Sequence, residues 1–340
     1  MSYRYLGNKT KLADWIVGKI SGVLPPGSTI ADPMCGTASV SIALARAGHS
    51  VVAADALTFP VIHARTRLLA KRAPAFESLG GYKGALAWLR SVAPIEGYFF
   101  DEFGGAGRPA NGRPPRLYFS ASNAAHIDGI RHGINGLTAA GALNEVEHAV
   151  LLHHLILATN KVANISGTYG YFRRTLSKPS LRPLLFEPID FENTPGDHTV
   201  RQGPVEKLGS MLDVDAVYLD PPYTKRQYAG NYHILETLAR GDAPVAVGDG
   251  GLRPWTDQAS NFCYRRSAGR AFRDTLKLLE VPHVFVSYSE DGQVPENELL
   301  SILGEFGKVT VHEQPHTRYR SNARVKDGSV LERLYEVEVF

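Results

Sequence analysis

Cysteine is scarce in this chain of 340 residues, which contains Cys35 and Cys263 and no others. Two thiols are too few for a disulfide scaffold or for a zinc site with four cysteine ligands, and they favour a reducing compartment. No apolar run approaches the roughly 18 residues of a membrane-spanning helix. The opening residues, MSYRY, lack the apolar core of a signal peptide. The sequence therefore predicts a cytoplasmic protein without a membrane partner.

Signatures of several common enzyme classes are also missing. The chain has no GxGxxG motif, which weakens the alternative of a nicotinamide-dependent dehydrogenase. It has no HExxH motif and no Cys–His cluster, so no metal is predicted, and His153, His154 and His233 are expected to be packing or surface residues. The formal net charge is only +3. Such a charge permits a nucleic-acid partner without requiring one, so local basic clusters must carry that argument.

The composition that remains is that of a globular α/β protein. Hydrophobic residues make up 44% and charged residues 21% of the chain, which is too apolar for a disordered protein. A strand at Thr29–Asp32, a helix over 37–48 and a strand at Val51–Ala54 form a β-loop-α-β unit, which implies a parallel sheet. Further helices are predicted near 9–20, 59–72, 144–160, 229–240, 264–280 and 295–306, and further strands at 216–219, 284–288, 307–314 and 332–340.

A long insertion interrupts this predicted sheet. Residues 97–116 and 166–200 are rich in glycine, proline and basic residues, which is typical of loops. Regular α/β character returns only at about residue 215. We therefore predict a discontinuous domain formed by residues 1–74 and 199–340, with an insertion over 75–198 whose apolar helix near 144–160 would pack on the core.

The most informative motif is Asp220-Pro221-Pro222-Tyr223, which follows the apolar run Ala216–Leu219. Open α/β sheets place their ligands at the carboxyl ends of their strands. The aspartate carboxylate and the carbonyl of the first proline can accept hydrogen bonds, and that proline has no N–H to donate. The two prolines stiffen the turn, and the tyrosine ring offers a face for stacking. The motif therefore suits a planar ring that carries an amino group.

Two loops early in the chain suit a nucleoside cofactor. The loop Asp32-Pro33-Met34-Cys35-Gly36-Thr37-Ala38 joins a strand to a helix, and its glycine lets the backbone approach a ligand closely. Asp55 ends the next strand, where an acid commonly binds the hydroxyls of a ribose. Either acid alone could equally be a helix cap or a turn carboxylate. Their order and spacing together favour the cofactor.

The segment from Tyr5 to Lys11 precedes the first predicted helix. Its Gly7-Asn8-Lys9 sequence could offer backbone N–H groups and a cation to an anionic ligand group. In isolation, however, an ordinary capped helix with solvated lysines explains this segment better.

Two tracts contain basic residues and no acidic ones. The tract from Ser166 to Phe186 carries Arg173, Arg174, Lys178 and Arg182, interleaved with Tyr169, Tyr171 and Phe172. The tract from Gln314 to Lys326 carries Arg318, Arg320, Arg324 and Lys326. Such side chains fit contacts with phosphates, although a solvated basic surface has the same composition. The glycine and aromatic residues inside the first tract favour nucleic acid there.

The segments Tyr5 to Leu12, Asp32 to Ala38 and Asp220 to Tyr223 together resemble the Dam-like class of adenine-specific DNA methyltransferases. The longer string DPPYTKRQYAGNYHILE, from Asp220 to Glu236, resembles a subset that includes type IIS modification enzymes. The cofactor motifs come before the insertion and the catalytic motif comes after it. In this family, that order marks the alpha arrangement.

The resemblance implies an α/β fold with the Rossmann-like sheet of S-adenosylmethionine-dependent methyltransferases and an inserted target-recognition region. It implies methylation of the 6-amino group of a flipped adenine in double-stranded DNA, with S-adenosyl-L-methionine as cofactor and a cognate restriction enzyme as an expected partner. The cofactor site would contain Tyr5, Asn8, Lys9, Asp32, Pro33, Cys35, Gly36, Asp55, Ala56 and Asp220. The catalytic residues would be Asp220, Pro221, Pro222 and Tyr223, and DNA contacts would come from Arg173, Arg174, Lys178, Arg182, Lys225 and Arg226.

The sequence departs from the family pattern in two places. The usual first loop is Asp-x-Phe-x-Gly-x-Gly, but Met34 replaces the aromatic residue and Ala38 replaces the second glycine. Many relatives carry an acid near the adenine ring of the cofactor where this chain has Gln202-Gly203-Pro204, so that contact stays unassigned.

Several other functions stay open at this point. The same fold can methylate the amino group of cytosine, an adenine in RNA or a protein glutamine. Cytosine enzymes more often carry Ser-Pro-Pro-Tyr and glutamine enzymes Asn-Pro-Pro-Tyr, so Asp220 disfavours both. A non-catalytic DNA-binding subunit of a modification system is a more distant alternative, which the intact motif disfavours.

Overall fold

A computed structural model of the protein describes residues 5–208, 213–317 and 329–340. The chain divides into two compact units. Unit 1 comprises the amino-terminal residues through Leu6, Arg65–Asn193 and Ala229–Asp257. Unit 2 comprises Gly7–Ala64, Thr194–Tyr228 and Gln258–Phe340. The Arg318–Lys326 part of the second basic tract lies outside the described residues.

Unit 2 is built on a mixed sheet of seven strands among the described residues, in the order β3-β2-β1-β4-β5-β7-β6. The strands are β1 (Thr29–Asp32), β2 (Ser50–Asp55), β3 (His198–Gln202), β4 (Ala216–Leu219), β5 (His283–Ser289), β6 (Gly307–Thr317) and β7 (Ser329–Val339). Strands β1 to β5 run parallel to one another, whereas β7 runs antiparallel to both β5 and β6. This sheet with its helices confirms the predicted Rossmann-like α/β class.

The helices are α1 (Ala13–Val23), α2 (Ser39–Arg46), α3 (Thr58–Ala64), α4 (Gly81–Ser91), α5 (Tyr98–Phe103), α6 (Ala121–Ala139), α7 (Glu145–Val162), α8 (Val205–Leu208), α9 (Tyr228–Asn231), α10 (His233–Arg240), α11 (Arg265–Leu276) and α12 (Glu296–Gly304). A π-helical turn, Arg65–Leu69, follows α3. Within unit 2, α2 packs on β1 and β2, α3 on β2 and β3, and α12 on β6. No helix in the described part of the chain is long and apolar enough to cross a bilayer.

The core of unit 2 lies under the centre of the sheet. Val217 and Leu219 of β4 pack with Val286 of β5 and Phe272 of α11 in one cluster of buried side chains. Strand β4 is buried at every position, which explains why its sequence reads as a continuous apolar run rather than an alternating one. The strand that presents the most informative motif is therefore anchored in the middle of this core.

Unit 1 is mainly helical, and α7 is its central helix. A capping box starts α7: the Asn144 side chain accepts from the Glu147 N–H, and the Glu147 carboxylate accepts from the Asn144 N–H. Within the unit α7 packs against α6, α10 and the π-helical turn. The sequence predicted α7 well, because its apolar residues and its cap agree.

Several elements differ from the sequence-based expectations. Helix α5 lies in the stretch 97–116 that was predicted to be a loop, and α6 was not predicted. Strand β3 was also missed, because its HTVRQ sequence is mostly exposed and has little apolar pattern to detect. Helix α1 begins at Ala13 rather than near residue 9, because the Asn8 side chain accepts from the backbone N–H of Thr10 and forms a turn that competes with the helix.

Candidate active site

The ends of β1 and β4 bring two predicted acids to one edge of the sheet. The two strands are parallel neighbours, with Ala31 opposite Val217. Asp32 is the last residue of β1, and Asp220 directly follows β4. From β1 the sheet extends to β2 and β3 on one side and from β4 to β5 on the other. The two acids therefore lie at a topological switch point, where open α/β sheets bind their ligands.

The loop after β1 has a tightly defined backbone. The Asp32 carboxylate accepts a 2.6 Å hydrogen bond from the Ser41 hydroxyl of α2. Gly36 and Ala38 both adopt left-handed conformations, with φ of 50° and 54°. This conformation costs an L-residue roughly 1–2 kcal/mol. The structure thus explains why the family pattern has glycine where this chain has Ala38, and it shows that alanine reaches the same conformation.

Asp55, at the end of β2, is joined to this loop. One carboxylate oxygen accepts from the Gly36 N–H at 3.0 Å, and the other accepts from the Leu57 N–H at 2.9 Å. Asp55 is 8% exposed, and the half-buried Ala56 follows it with its carbonyl accepting from the Gln258 side chain. The Asp55 carboxylate therefore fixes the loop after β1 relative to the residues that follow β2.

The segment before α1 packs against the same edge. Gly7 is left-handed with φ of 72°, and a Cβ there would lie 3.1 Å from the Tyr228 hydroxyl, so a larger residue would be strained. The Asn8 carboxamide oxygen accepts from the Thr10 hydroxyl at 2.6 Å and from the Thr37 hydroxyl at 3.3 Å. These contacts fix the backbone that carries the next residue, Lys9.

Lys9 is a buried cation, with only 4% of its side chain exposed. Its Nζ lies 2.6 Å from Oε1 of Glu332 and 3.3 Å from Oδ1 of Asp220. It also lies 5.3 Å from the centre of the Tyr223 ring, within the range of a cation–π contact. Burial alone would lower the pKa of Lys9, but the charges of Asp220 and Glu332 outweigh burial and raise it. Lys9 is therefore held in its charged form.

Sequence reasoning missed Glu332, the second partner of Lys9. It lies on β7, is 5% exposed, and pairs in register with Ser289 at the end of β5. The Ser287 hydroxyl donates to its Oε1 at 3.1 Å. Because β7 runs antiparallel, its first residues lie beside the carboxyl end of β5. Glu332 thus reaches the ligand-binding edge from a strand that runs in the opposite direction.

The loop after β4 is fixed at both ends. Pro221 is buried, and Tyr223 packs edge-on against Tyr288 with 6.4 Å between ring centres. Further along, the Gln227 carboxamide exchanges two 2.9 Å hydrogen bonds with the backbone of Ser260. Of the other residues predicted to be functional in this loop, Pro222 is half-buried, whereas Lys225 and Arg226 are exposed.

The acids of this edge outnumber its cation. Burial, followed by the charges of Asp220 and Asp55, raises the pKa of Asp32 to about 7. Burial also raises the pKa of Asp220 to about 6, against the opposing effect of Lys9. The buried Cys35 thiol has its pKa raised by burial and by Asp55 and Asp32, so it stays protonated and is no nucleophile. The edge is therefore negatively charged and suited to a cationic ligand.

Tyr5 belongs to unit 1. Its ring stacks on that of Tyr232 with 5.0 Å between centres and 20° between planes. The neighbouring Leu6 N–H donates to the Tyr232 hydroxyl at 2.7 Å. The other predicted cofactor and catalytic residues, Asn8, Lys9, Asp32, Pro33, Cys35, Gly36, Asp55, Ala56, Asp220, Pro221, Pro222 and Tyr223, all belong to unit 2.

The first basic tract forms a closed loop on unit 1. Ile165 and Phe172 form an antiparallel bridge, and the Asn164 carboxamide donates to the carbonyls of Arg173 and Thr175. Tyr171 is 54% exposed and stacks on Phe172 at 4.6 Å. The basic side chains of the tract, Arg173, Arg174, Lys178 and Arg182, are all exposed. This loop therefore presents cations and an aromatic ring to solvent on a defined backbone.

The three histidines discussed in the sequence analysis, His153, His154 and His233, are interior residues. His233 is fully buried, its Nε2 lies 3.0 Å from the Tyr169 carbonyl, and burial lowers its pKa to about 3. His154 bonds the Tyr82 hydroxyl at 3.0 Å, and His153 beside it is buried. These contacts confirm the prediction that they are packing residues. The described residues contain no group of three or more His, Cys, Asp or Glu that could hold a metal.

The fold defines the Rossmann-like class, in which ligands bind at the switch point of the sheet. The family model for D12 class N6 adenine-specific DNA methyltransferases matches residues 5–288. The chain belongs to this family, which confirms the resemblance drawn from its motifs.

The relatives that it matches are modification enzymes. The chain is 31% identical to the type II methyltransferase M.FokI of Planomicrobium okeanokoites over 98% of its own length and 52% of the relative's. It is 31% identical to the modification methylase LlaI of Lactococcus lactis over 99% of its length and 54% of the relative's. It is 28% identical to the type II methyltransferase M.NlaIII of Neisseria lactamica over 98% of both chains. The chain thus spans about half the length of the first two relatives.

Proposed function

We propose that this chain is a site-specific DNA methyltransferase that transfers a methyl group from S-adenosyl-L-methionine to the 6-amino group of an adenine flipped out of double-stranded DNA. The observation that carries the proposal is the half-buried carboxylate of Asp220. It stands at the switch point of the sheet, 3.3 Å from Lys9, in a chain of the N6 adenine-specific family. Membership of this family disfavours the alternatives that act on cytosine or on protein glutamine.

The residues at the edge of unit 2 fit the proposed cofactor. S-adenosylmethionine carries a sulfonium and an ammonium group. The edge offers it the buried acids Asp32 and Glu332 and the half-buried Asp220, and the buried Lys9 pairs with only the last two. The raised pKa of Asp32, at about 7, marks a carboxylate short of positive partners. When bound, the cofactor supplies an electrophilic methyl group. Asp32, the Gly36 backbone and Asp55 would hold it, together with Asn8 and the other residues that the motif implies.

Asp220 and Pro221 would act on the amino group of the adenine. The lone pair of that nitrogen is conjugated with the ring, so the nitrogen is a weak nucleophile. The Asp220 carboxylate and the Pro221 carbonyl can each accept one of its N–H bonds, and proline has no competing N–H. Accepting both bonds draws the nitrogen towards tetrahedral geometry and turns its lone pair towards the methyl donor. Positioning and fixed charges then supply most of the rate.

Tyr223 would stack on the extruded base. Its ring is held from one side by Tyr288 and approached by Lys9, so it is ordered before any ligand arrives. Extrusion of a paired base costs a few kcal/mol, and stacking on an ordered aromatic ring offsets part of that cost.

A direct experiment tests this function. DNA from a host that expresses the chain, and from a matched host with the empty vector, would be sequenced with detection of modified bases. We expect 6-methyladenine in one sequence context in the first sample only. Modified cytosine, or no modified base although the protein is folded and binds the cofactor, would contradict the proposal. Methylation found in RNA alone would contradict the proposed DNA substrate.

We also propose a restriction enzyme as the partner of this activity, working in the cytoplasm. The names of the relatives as modification methylases support this partner, and two free, buried thiols suit a reducing compartment. DNA methylated by the chain should then resist one restriction enzyme that cuts the same sequence. The DNA sequencing experiment above supplies the sequence context against which candidate enzymes are chosen.

The rate of methylation should depend on the charge of Asp220. An ionised carboxylate accepts a hydrogen bond from an N–H group more strongly than a protonated one, and burial raises the pKa of Asp220 to about 6. Protonation below that pH should lower kcat/KM about tenfold per pH unit. The pH profile of single-turnover methylation of a DNA duplex measures this, with cofactor binding recorded at each pH. A flat profile down to pH 5 would contradict the role of an ionised Asp220.

Unit 1 is proposed to recognise the DNA target, in keeping with the predicted role of the insertion over 75–198. The exposed cations Arg173 and Arg174 stand on the closed loop with Tyr171 at its surface. Contacts between such cations and phosphates give affinity that falls with salt, whereas sequence is read elsewhere at base edges. Lys178 and Arg182 on unit 1, and Lys225 and Arg226 on unit 2, would add further phosphate contacts.

The double variant Arg173→Gln/Arg174→Gln should bind DNA less tightly and with a weaker dependence on salt. Each lost phosphate contact reduces the slope of log affinity against log salt by about 0.9. Fluorescence anisotropy of a labelled duplex over a salt series measures the slope. The matched control Arg270→Gln/Lys277→Gln removes the same charge from two exposed positions, one on α11 and one at its C-cap. An unchanged slope in the first variant would place the DNA contacts elsewhere.

A further inference from the structure

Glu332 is a buried acid that nothing in the family match assigns, because the match ends at residue 288. Its carboxylate accepts from two donors, the Lys9 ammonium at 2.6 Å and the Ser287 hydroxyl at 3.1 Å. Ser287 is itself fully buried on β5. A buried carboxylate with a charged and a neutral donor is fixed in place, since moving it would leave both donors unsatisfied.

Glu332 competes with Asp220 for the same cation. Lys9 lies 0.7 Å nearer to Glu332 than to Asp220, at 2.6 Å against 3.3 Å. A charge-assisted hydrogen bond is strongest below about 2.9 Å, so Lys9 is bonded mainly to Glu332. Lys9 makes only a longer, 3.3 Å hydrogen bond with Oδ1 of Asp220, so this carboxylate keeps a nearby positive charge without a short bond to it. A carboxylate held this weakly can still accept from the amino group of a target base.

We propose that Glu332 is a positioning residue for methyl transfer, which holds Lys9 back from Asp220 so that the catalytic carboxylate stays open to the adenine amino group. This inference rests on the proposed function. Glu332 touches neither the base nor the methyl donor in this role, and it positions Asp220 through Lys9.

The strand pairing gives Glu332 this position. β7 pairs antiparallel with β5, and Ser287 lies opposite Leu334 while Ser289 lies opposite Glu332. Leu334 is fully buried two residues further along β7. Glu332 therefore points to the same buried face, at the edge where Asp220 and Lys9 meet. An acid there, on the last strand of the sheet, is placed by the fold rather than by a loop.

The charges around Asp220 set the expected pH behaviour. Lys9 favours the ionised form of Asp220, and Glu332 disfavours it. Asp32, Tyr218 and Tyr223 also lie near Asp220, and its charge raises the pKa of each of them. Glu332→Gln keeps the shape and removes one like charge, and it frees Lys9 to pair with Asp220. Both changes favour the ionised carboxylate, so the acid limb of the pH profile should move to lower pH.

The test compares three variants of the full chain by single-turnover methylation of duplex DNA over a pH series. Glu332→Gln should lower kcat roughly 10- to 100-fold at its plateau, because a closer Lys9 occupies Asp220, and it should move the acid limb to lower pH. The KM for S-adenosylmethionine should change little. Glu332→Asp keeps the charge but withdraws it by one methylene, so its kcat should fall less and its acid limb should return towards that of the wild type. The control Glu336→Gln removes a charge from the same strand, where Glu336 pairs with His312, and should match the wild type.

A structural role alone would lower the yield of folded protein without moving the pH profile. Glu332→Gln with a wild-type kcat and an unmoved acid limb would overturn the inference. If that variant does not fold, Glu332→Asp carries the test, and an unchanged kcat there would overturn the inference equally. Absence of any methylation by the wild-type protein would instead overturn the proposed function, so the two failures are distinguishable.

Discussion

Replacing Asp220 with alanine is expected to lower the rate of DNA methylation by at least about 10²- to 10³-fold, the effect of removing one preorganised polar group from a reacting centre. The variant would leave the adenine amino group without its charged acceptor, while the Pro221 carbonyl accepts one bond alone. The proposed cofactor residues Asp32, Gly36 and Asp55 lie on β1, β2 and their loops, so binding of S-adenosylmethionine should persist.

Transfer of labelled methyl groups to duplex DNA measures the rate, and calorimetric titration measures the cofactor. The matched control is Asp215→Asn, at the other end of β4, where the exposed Asp215 accepts from the Thr29 N–H at 2.7 Å. Asparagine can keep that hydrogen bond, so this control should retain full activity. Near-normal turnover in Asp220→Ala would remove the basis of the assignment, and loss of cofactor binding alone would make Asp220 a cofactor residue instead.

The second large effect concerns folding. Lys9→Met should lower the free energy of unfolding by about 3–5 kcal/mol, the usual result of leaving buried charges without their partner. Lys9 lies between Glu332 and Asp220 with 4% of its side chain exposed. The loss should be larger at pH 8 than at pH 5, because at low pH the two abandoned carboxylates can bind protons and become neutral.

Urea unfolding followed by circular dichroism measures this loss. Lys11→Met, two residues away on the surface, should change the free energy by less than about 0.5 kcal/mol. The double variant Lys9→Met/Glu332→Gln should recover part of the loss, since one of the two abandoned charges is then absent. If Lys9→Met were as stable as the control, the short contacts of Lys9 would contribute nothing to the fold.

Much of the sheet in unit 2 could be predicted because its strands are buried and short. β1 and β4 have the predicted bounds, and β2 and β5 are each one residue longer than predicted at both ends. The sequences of β1 and β4 read as apolar runs that end at an acid or directly before one, Asp32 and Asp220 respectively. The physical reason is that a fully buried parallel strand has no polar face. The motifs at their ends were then placed on one edge by the parallel topology alone.

The parts that could not be predicted depend on distant pairing. Strand β3 joins the sheet at its exposed edge, so its sequence lacks the apolar pattern that identified the others. Glu332 follows Asp220 in the chain by more than a hundred residues, and its role depends on the antiparallel register of β5 and β7. A signal was present, since an acid two residues before the buried Leu334 falls on a buried face of a strand. Without the register, that signal does not point to Lys9.

The left-handed Ala38 shows the limit of a motif comparison. The family pattern has glycine at this position, and the substitution suggested an altered loop. The backbone nevertheless reaches φ of 54° there and starts α2. A motif records the residue with the least strain, whereas a fold can impose the same conformation on another residue at a modest cost in free energy.

The spatial order β5-β7-β6 also has a consequence for synthesis on the ribosome. β6 is translated before β7, yet it reaches the sheet through β7. During synthesis, β6 can therefore join the sheet only after β7 has emerged from the ribosome, because β7 pairs with both β5 and β6. The same late event delivers Glu332 to Lys9. Until β7 has paired, the growing chain has the Asp-Pro-Pro-Tyr turn but lacks the carboxylate that, in our proposal, restrains Lys9.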